Sequence, residues 1–382
     1  MFQPPQVSPV NVPQRLLLGP GPSNLPPRVQ TALSLPVLGH LDPEFFRVMD
    51  ETSALLRYAF QTRNELTLVV PGTGTAGMQA AITNAIEPGD RIVVGVAGFF
   101  GHRIREMAER LGAEVDAVEV EWGRIVEPDQ IRRALDKPAK VVAIVHGETS
   151  TGVEQPIAEI GRIVREHDAL FLVDTVASLG GVPVYTDEWL IDICYSGSQK
   201  SLAAPPGLAP ITFNDRAIAT FQRRRSPQSN FYLDIERLGQ YWDTNRAYHH
   251  TSPASMIYAL HEAGRLMVEE GLPARWERHA RVSDSLVADL AELGLHILGD
   301  EAHRLKTVAA VRIPEGVPDK EVRRELLRRF NIEIGGGLGP FGGKLWRIGV
   351  MGHGAHPANY RLLVTALAEL LAAQRIPAGQ RA

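Results

Sequence analysis

Cysteine occurs once in 382 residues, as Cys194. One thiol can form no intramolecular disulfide and no thiolate zinc site, and such a chain suits a reducing compartment. Long apolar runs are missing too. No stretch approaches the 18 residues of a membrane span, and the start MFQPPQVSPVNVPQ has no basic segment leading into an apolar one. A cytoplasmic location is expected, with no membrane partner. Positive charge is not in excess either: the formal net charge is −4, and the short cluster Arg223, Arg224, Arg225 reads as a solvated face. A nucleic-acid partner is therefore not expected.

Several catalytic templates fail on spacing. No G-x-S-x-G elbow occurs, the serine that S-x-x-K needs before Lys200 is Gly197, and the twelve histidines, His249, His250, His353 and His356 among them, form no H-E-x-x-H. Hydrolase chemistry of these kinds is unsupported, and no metal is expected. Lysine itself is scarce, with six against 34 arginines, and Lys200 stands alone between Lys140 and Lys306. Its setting, SGSQKSLAAPPG, is a run of small residues and prolines. Arginine serves as the default cation of this chain, but only lysine can lose its proton and act as an amine nucleophile.

What is present is the composition of a soluble globular enzyme, 44% apolar and 22% charged. Residues 1–22 are proline-rich and read as an extended arm. From Leu66, apolar runs (LTLVV, RIVVGV, AEVDAVEV, KVVAIV, ALFLVD, DICYSG) alternate with helix-like segments (TAGMQAAITNAI, HRIREMAERLG, PDQIRRALD, IAEIGRIVREHD). This rhythm predicts an α/β fold with a large, mostly parallel sheet covered by helices on both faces. Beyond about residue 255, two long helical stretches, Pro253 to Glu270 and Leu272 to Leu293, precede strands TVAAVRI and LWRIGV around helix KEVRRELLRRF. The expected domains are 23–255, large, and 256–382, a smaller α+β unit.

Three features carry chemistry. LTLVVPGTGTAGMQAAITNAI is strand, glycine-rich turn and helix, so backbone N–H groups at the helix start offer a phosphate site. Gly72, Gly74 and Gly77 also spell G-x-G-x-x-G, which makes a dinucleotide-dependent oxidoreductase the rival from another class. The next strand, RIVVGVAGFF, ends without the acid a ribose would need, which favours a single phosphate. Asp174 closes the apolar strand ALFLVD, and Lys200 follows the next strand. Read singly, the loop is a tight turn, Asp174 a helix cap and Lys200 a loop lysine. Read together, a phosphate loop, an acid for a pyridinium nitrogen and a lysine for a Schiff base are the parts of a pyridoxal phosphate site.

The chain resembles the class V, fold type I pyridoxal phosphate aminotransferases, closest to the alanine-glyoxylate and serine-glyoxylate members. The likeness runs through LLLGPGPSNLPP, FQTRNELTLVVPGTG, HGETSTGVEQP, LVDTVASLGG, YSGSQKSLAAPPG, YHHTSP and GGLGPFGGKLWRIGVMG. It implies that Lys200 carries pyridoxal 5'-phosphate, that Asp174 binds the ring nitrogen, and that Val176 and Phe100 face the ring from either side. Thr73, Gly74, Thr75 and Gln199 would hold the phosphate and Thr149 would reach the ring hydroxyl. Tyr248 and Thr251 would serve the neighbouring subunit's phosphate, giving a homodimer with shared sites. Arg347 would grip the substrate carboxylate, with Gly21, Gly39 and Ser178 around the substrate.

The resemblance further implies transamination of alanine or serine, in the loop of Gly39 and His40 more like the serine users, with glyoxylate. Glycine and pyruvate or hydroxypyruvate would be the products. Ureidoglycine or aminophosphonate transaminases and desulfurases remain alternatives within the fold. Against a desulfurase stands Cys194, placed inside a strand where a mobile persulfide carrier would not fit. The ending GQRA is not an S-K-L-type address.

Overall fold

The apolar runs assemble into one seven-stranded sheet in the computed structural model, which describes residues 2–375. The ending GQRA lies outside the described residues. In chain order the strands are β1 (Leu66–Pro71), β2 (Arg91–Val96), β3 (Glu114–Glu119), β4 (Val141–Val145), β5 (Leu170–Asp174), β6 (Ile193–Tyr195) and β7 (Leu208–Phe213). Their order across the sheet is β1-β7-β6-β5-β4-β2-β3. Six run one way, while β7 is antiparallel to both of its neighbours. Helices cover both faces, so every residue of β4 and β5 is buried and both strands read as unbroken apolar runs.

Strand β7 was not expected. It contains Pro210, which has no N–H to give to a ladder and so argues against an interior strand. Pro210 instead contributes its carbonyl, which accepts the Ser196 N–H at 2.8 Å. Two helices, Pro27–Leu33 and Pro43–Phe60, precede β1. The second starts on Asp42, whose side chain accepts the Glu44 N–H, and it packs against the helix Ala254–Glu270.

A second, three-stranded sheet consists of β8 (Val308–Arg312), β9 (Gly335–Gly336) and β10 (Leu345–Gly349), with β10 central and antiparallel to both. Helices Leu272–Glu292, Asp319–Phe330 and Pro357–Arg375 lie against it. Buried apolar side chains form one large cluster from Val29 to Leu272 and a second that joins Leu18 to residues between Val282 and Leu371.

The N-terminal segment bridges the two. Leu16–Leu17 pairs in parallel with Ile332–Glu333, after which the chain turns toward Lys200. There Ser23 donates its N–H to Gln199 O at 2.9 Å and its hydroxyl to Lys200 O at 2.8 Å. Among the described residues no helix is long and apolar enough to cross a membrane.

Candidate active site

Because six strands are co-directional, their carboxyl ends open on one edge of the sheet, where open α/β sheets collect ligands. Strand β1 delivers Thr73, β2 delivers Phe100, β4 delivers Glu148 and Thr149, β5 ends on Asp174, and β6 leads to Gln199 and Lys200.

Lys200 is buried, and its Nζ donates to the carbonyl of Pro20. Burial, with Arg347 adding positive potential against the opposing pull of Asp174, lowers its pKa to about 8. Neighbouring Gly21 has φ +98°, and a Cβ there would lie 2.7 Å from Lys200 Nζ. Any side chain at position 21 would therefore be strained and would also displace the amine.

Asp174 is fully buried without a cationic partner in direct contact. Its Oδ1 accepts the Val176 N–H at 2.7 Å and its Oδ2 accepts the Tyr195 hydroxyl at 2.8 Å. Burial raises its pKa to about 6, the two donors opposing the shift and Glu148 adding to it. The carboxylate is held in place, with the Lys200 charge pulling its pKa down from a distance and, among the described residues, no cation in direct contact.

Two helices begin at this edge, and their N-termini differ. The N-terminus of the helix Phe99–Arg110 is already occupied by a carboxyl group: Glu148, whose pKa burial raises against the pull of its donors, accepts from the N–H groups of Phe100 at 3.1 Å and Gly101 at 3.3 Å, and from Ser150 N and Oγ. Gly98 makes room for it, since a Cβ there would sit 2.5 Å from Glu148 Cγ. The helix Gly74–Ala85 has no side-chain cap. A phosphate brought to this edge finds its free N–H groups at Gly74 and Thr75, not at Phe100. Close packing joins this turn to the rest: a Cβ on Gly74 would lie 3.0 Å from Val176, and one on Gly197 would lie 2.8 Å from Gln199 Oε1.

Arg347 reaches the same cluster from β10. Its Nε donates to Gly336 O at 2.7 Å, and among the described residues it forms no ion pair with a carboxylate. Burial lowers its pKa to about 10, still charged at neutral pH, with Glu148 opposing and Arg323 adding to the shift.

The residues singled out from sequence thus fall into groups. Lys200, Asp174, Val176, Thr73, Gly74, Thr75, Gln199, Phe100, Thr149, Gly21 and Arg347 share the sheet edge. Ser178 does not open onto it; it is fully buried with its hydroxyl 3.0 Å from His146 Nδ1. Gly39, Tyr248 and Thr251 form a separate exposed patch, in which the rings of His40 and Tyr248 lie 5.2 Å apart and Tyr241 donates its hydroxyl to His40 O. Glu148 and Tyr195 were not singled out. The rule that drew attention to Asp174, an acid just past an apolar parallel strand, applies equally to Glu148 after KVVAIV.

The class V aminotransferase family model matches residues 17–339, and the chain belongs to that family. Similarity extends over nearly the full length of individual members. A solved alanine–glyoxylate aminotransferase from Nostoc sp. is 48% identical with a TM-score of 0.94, covering 96% of this chain and 97% of that one. The alanine–glyoxylate aminotransferase of Oryctolagus cuniculus is 43% identical, over 97% of this chain and 96% of its own. The (S)-ureidoglycine–glyoxylate transaminase of Bacillus subtilis is 40% identical, over 94% and 91%.

The protein is a pyridoxal phosphate-dependent aminotransferase of fold type I, and its residues fit that cofactor. The helix start at Thr73 has no side-chain cap, and among the described residues Asp174 has no cation in direct contact. A phosphorylated pyridinium would complement both. The dinucleotide reading fails for a topological reason: β1, which carries the glycine loop, is an edge strand whose one neighbour is antiparallel. The crevice between parallel strands that receives a dinucleotide is missing there.

Proposed function

We propose that this enzyme transfers the amino group of alanine to glyoxylate, giving pyruvate and glycine. The observation that carries the reading is the buried amine of Lys200, set between the anionic Asp174 and the cationic Arg347 at one sheet edge. Glyoxylate is the partner named for all three relatives above, whereas the amino donor differs among them.

Each side chain then has a task. Lys200 Nζ, about half neutral at pH 8, would carry a proton from the donor Cα to the cofactor carbon in the first half-reaction and from that carbon to the acceptor Cα in the second. Asp174 would hold the proton on the ring nitrogen, while Val176 and Phe100 would pack against the ring from either side. When bound, the cofactor supplies the electron sink for the carbanion at Cα. Thr73, Gly74, Thr75 and Gln199 hold the phosphate, and Thr149 meets the ring hydroxyl. The fork of Arg347 grips the carboxylate common to donor and acceptor. A desulfurase reading gains no support from Cys194, which is fully buried inside β6 with its thiol pushed up to about 12 by burial.

The active unit in this reading is a homodimer. Tyr248 is 63% exposed and Thr251 is exposed, as are Thr73 and Thr75 at the phosphate turn. The patch of Gly39, Tyr248 and Thr251 on one subunit completing the phosphate turn and substrate mouth of the other would cover both, and molar mass in solution checks this. Residues 23–255 act as the cofactor-binding domain and 256–382 as the smaller one; the two apolar clusters support two units, although the helix Ala254–Glu270 packs with the larger. A lone, inert cysteine suits the cytoplasm.

A second reading, with ureidoglycine as donor, is favoured by the Bacillus relative. A donor screen decides: alanine, serine and ureidoglycine are each offered with glyoxylate and glycine is measured. Alanine is expected to give the highest kcat/KM, and faster turnover with either of the others would displace it. Arg347→Ala is expected to weaken capture of alanine and glyoxylate alike by about 10- to 150-fold, the worth of a charged hydrogen bond. The cofactor spectrum should stay as in the wild type. Unchanged saturation curves for both half-reactions would move the carboxylate contact elsewhere.

A further inference from the structure

Arg103 stands one turn into the helix Phe99–Arg110, at the same sheet edge. Its guanidinium carbon lies 4.8 Å from the centroid of Phe100 and 5.2 Å from that of Phe99. The two rings meet edge to face at 5.6 Å. Nη1 of Arg103 donates to Thr75 Oγ1 at 3.1 Å. Other arginines of the same helix are paired: Arg105 with Glu109 and Glu119, Arg110 with Glu106. Among the described residues Arg103 has no carboxylate within ion-pair distance. Its positive charge is directed instead at the first turn of the helix left without a side-chain cap.

The other groups expected around the phosphate are neutral. Thr73, Gly74, Thr75 and Gln199 carry no charge, nor do Tyr248 and Thr251. A phosphate dianion next to these groups would have only neutral donors and backbone dipoles to meet its charge, unless a cation came within reach. Resting on the aminotransferase reading, we propose that Arg103 is a cofactor-positioning residue with two functions. Its charge neutralises the cofactor phosphate through the Thr75 turn, and its flat face fixes the plane of the Phe100 ring. A planar guanidinium can do both at once, whereas an ammonium supplies the charge without the stacking surface.

The test compares pyridoxal phosphate with pyridoxal, which lacks the phosphate, as ligands of the wild type, Arg103→Gln and Arg103→Lys. Binding is followed by quenching of protein fluorescence and by the absorption and circular dichroism of the bound cofactor. Arg103→Gln is expected to lose about 10- to 150-fold in affinity for pyridoxal phosphate, with little change for pyridoxal. Arg103→Lys should recover most of the phosphate affinity, while the dichroism of its bound cofactor still departs from the wild type because Phe100 is no longer held flat. Equal loss of both ligands, wild-type affinity in Arg103→Gln, or a wild-type dichroic band in Arg103→Lys would overturn the proposal. Should Arg103→Gln fail to fold, the dichroic band of Arg103→Lys decides alone. A wild-type protein that binds pyridoxal phosphate no better than pyridoxal, and stays colourless, would instead sink the aminotransferase reading beneath it.

Discussion

Lys200→Ala is expected to leave a folded protein whose turnover is lost. The substitution removes the cofactor's covalent anchor and the base that moves the Cα proton, and the base alone is worth roughly 10²- to 10⁴-fold. Stability should not suffer in proportion. The folded-state pKa of Lys200, about 8, lies below its ordinary value of 10.5. A charged amine is therefore a cost to the folded state at neutral pH and below, fading as pH rises from 8 toward 10.5. Lys200→Met, which keeps the volume but removes the amine, should melt at the wild-type temperature or above it at pH 7. A clear drop for Met, or activity above a few per cent of wild type for Ala with fresh cofactor, would contradict the role given to this side chain.

Asp174→Asn is expected to bind cofactor and to slow proton abstraction severely. The amide oxygen can still accept the Val176 N–H, and the amide nitrogen can donate to the Tyr195 oxygen, so the local geometry is tolerated. What disappears is the anion facing the ring nitrogen. Stranding a buried charge costs about 3–5 kcal/mol, or roughly 150- to 5,000-fold in rate. The pH dependence gives a second signature. In the absence of cofactor Asp174 takes up a proton as pH falls through about 6, and a neutral carboxyl no longer attracts a protonated ring. Cofactor affinity of the wild type should decline below pH 6, and that decline should be missing from Asp174→Asn. Near-normal single-turnover rates, or an acid limb retained by the variant, would remove Asp174 from the role.

Much of the large sheet was legible because its inner strands are buried on both faces and leave unbroken apolar runs such as VVAIV and LFLVD. Strand β7 was hidden by Pro210, whose local preference is overridden by pairing through its carbonyl. Lys200 was visible through scarcity and Asp174 through its position at a strand end. Glu148 satisfied the same positional rule, but its part depends on four donors converging from two separate segments, which no local pattern records. Tyr195 is similar: its importance lies in a hydroxyl aimed at Asp174 across two strands. The roles proposed for Gly39, Tyr248 and Thr251 would depend on a second chain, which neither the local sequence nor the geometry of one subunit contains.

The central claim is that the Lys200 amine carries the cofactor. Borohydride reduction of the protein mixed with pyridoxal phosphate, followed by proteolysis and mass spectrometry of the peptides, addresses it directly. The account predicts a single stable phosphopyridoxyl adduct on the peptide containing Lys200, formed faster as pH rises to about 8 and levelling beyond it. An adduct spread over Lys137, Lys140, Lys306, Lys320 and Lys344, or one still climbing past pH 10 as for an exposed lysine, would contradict it.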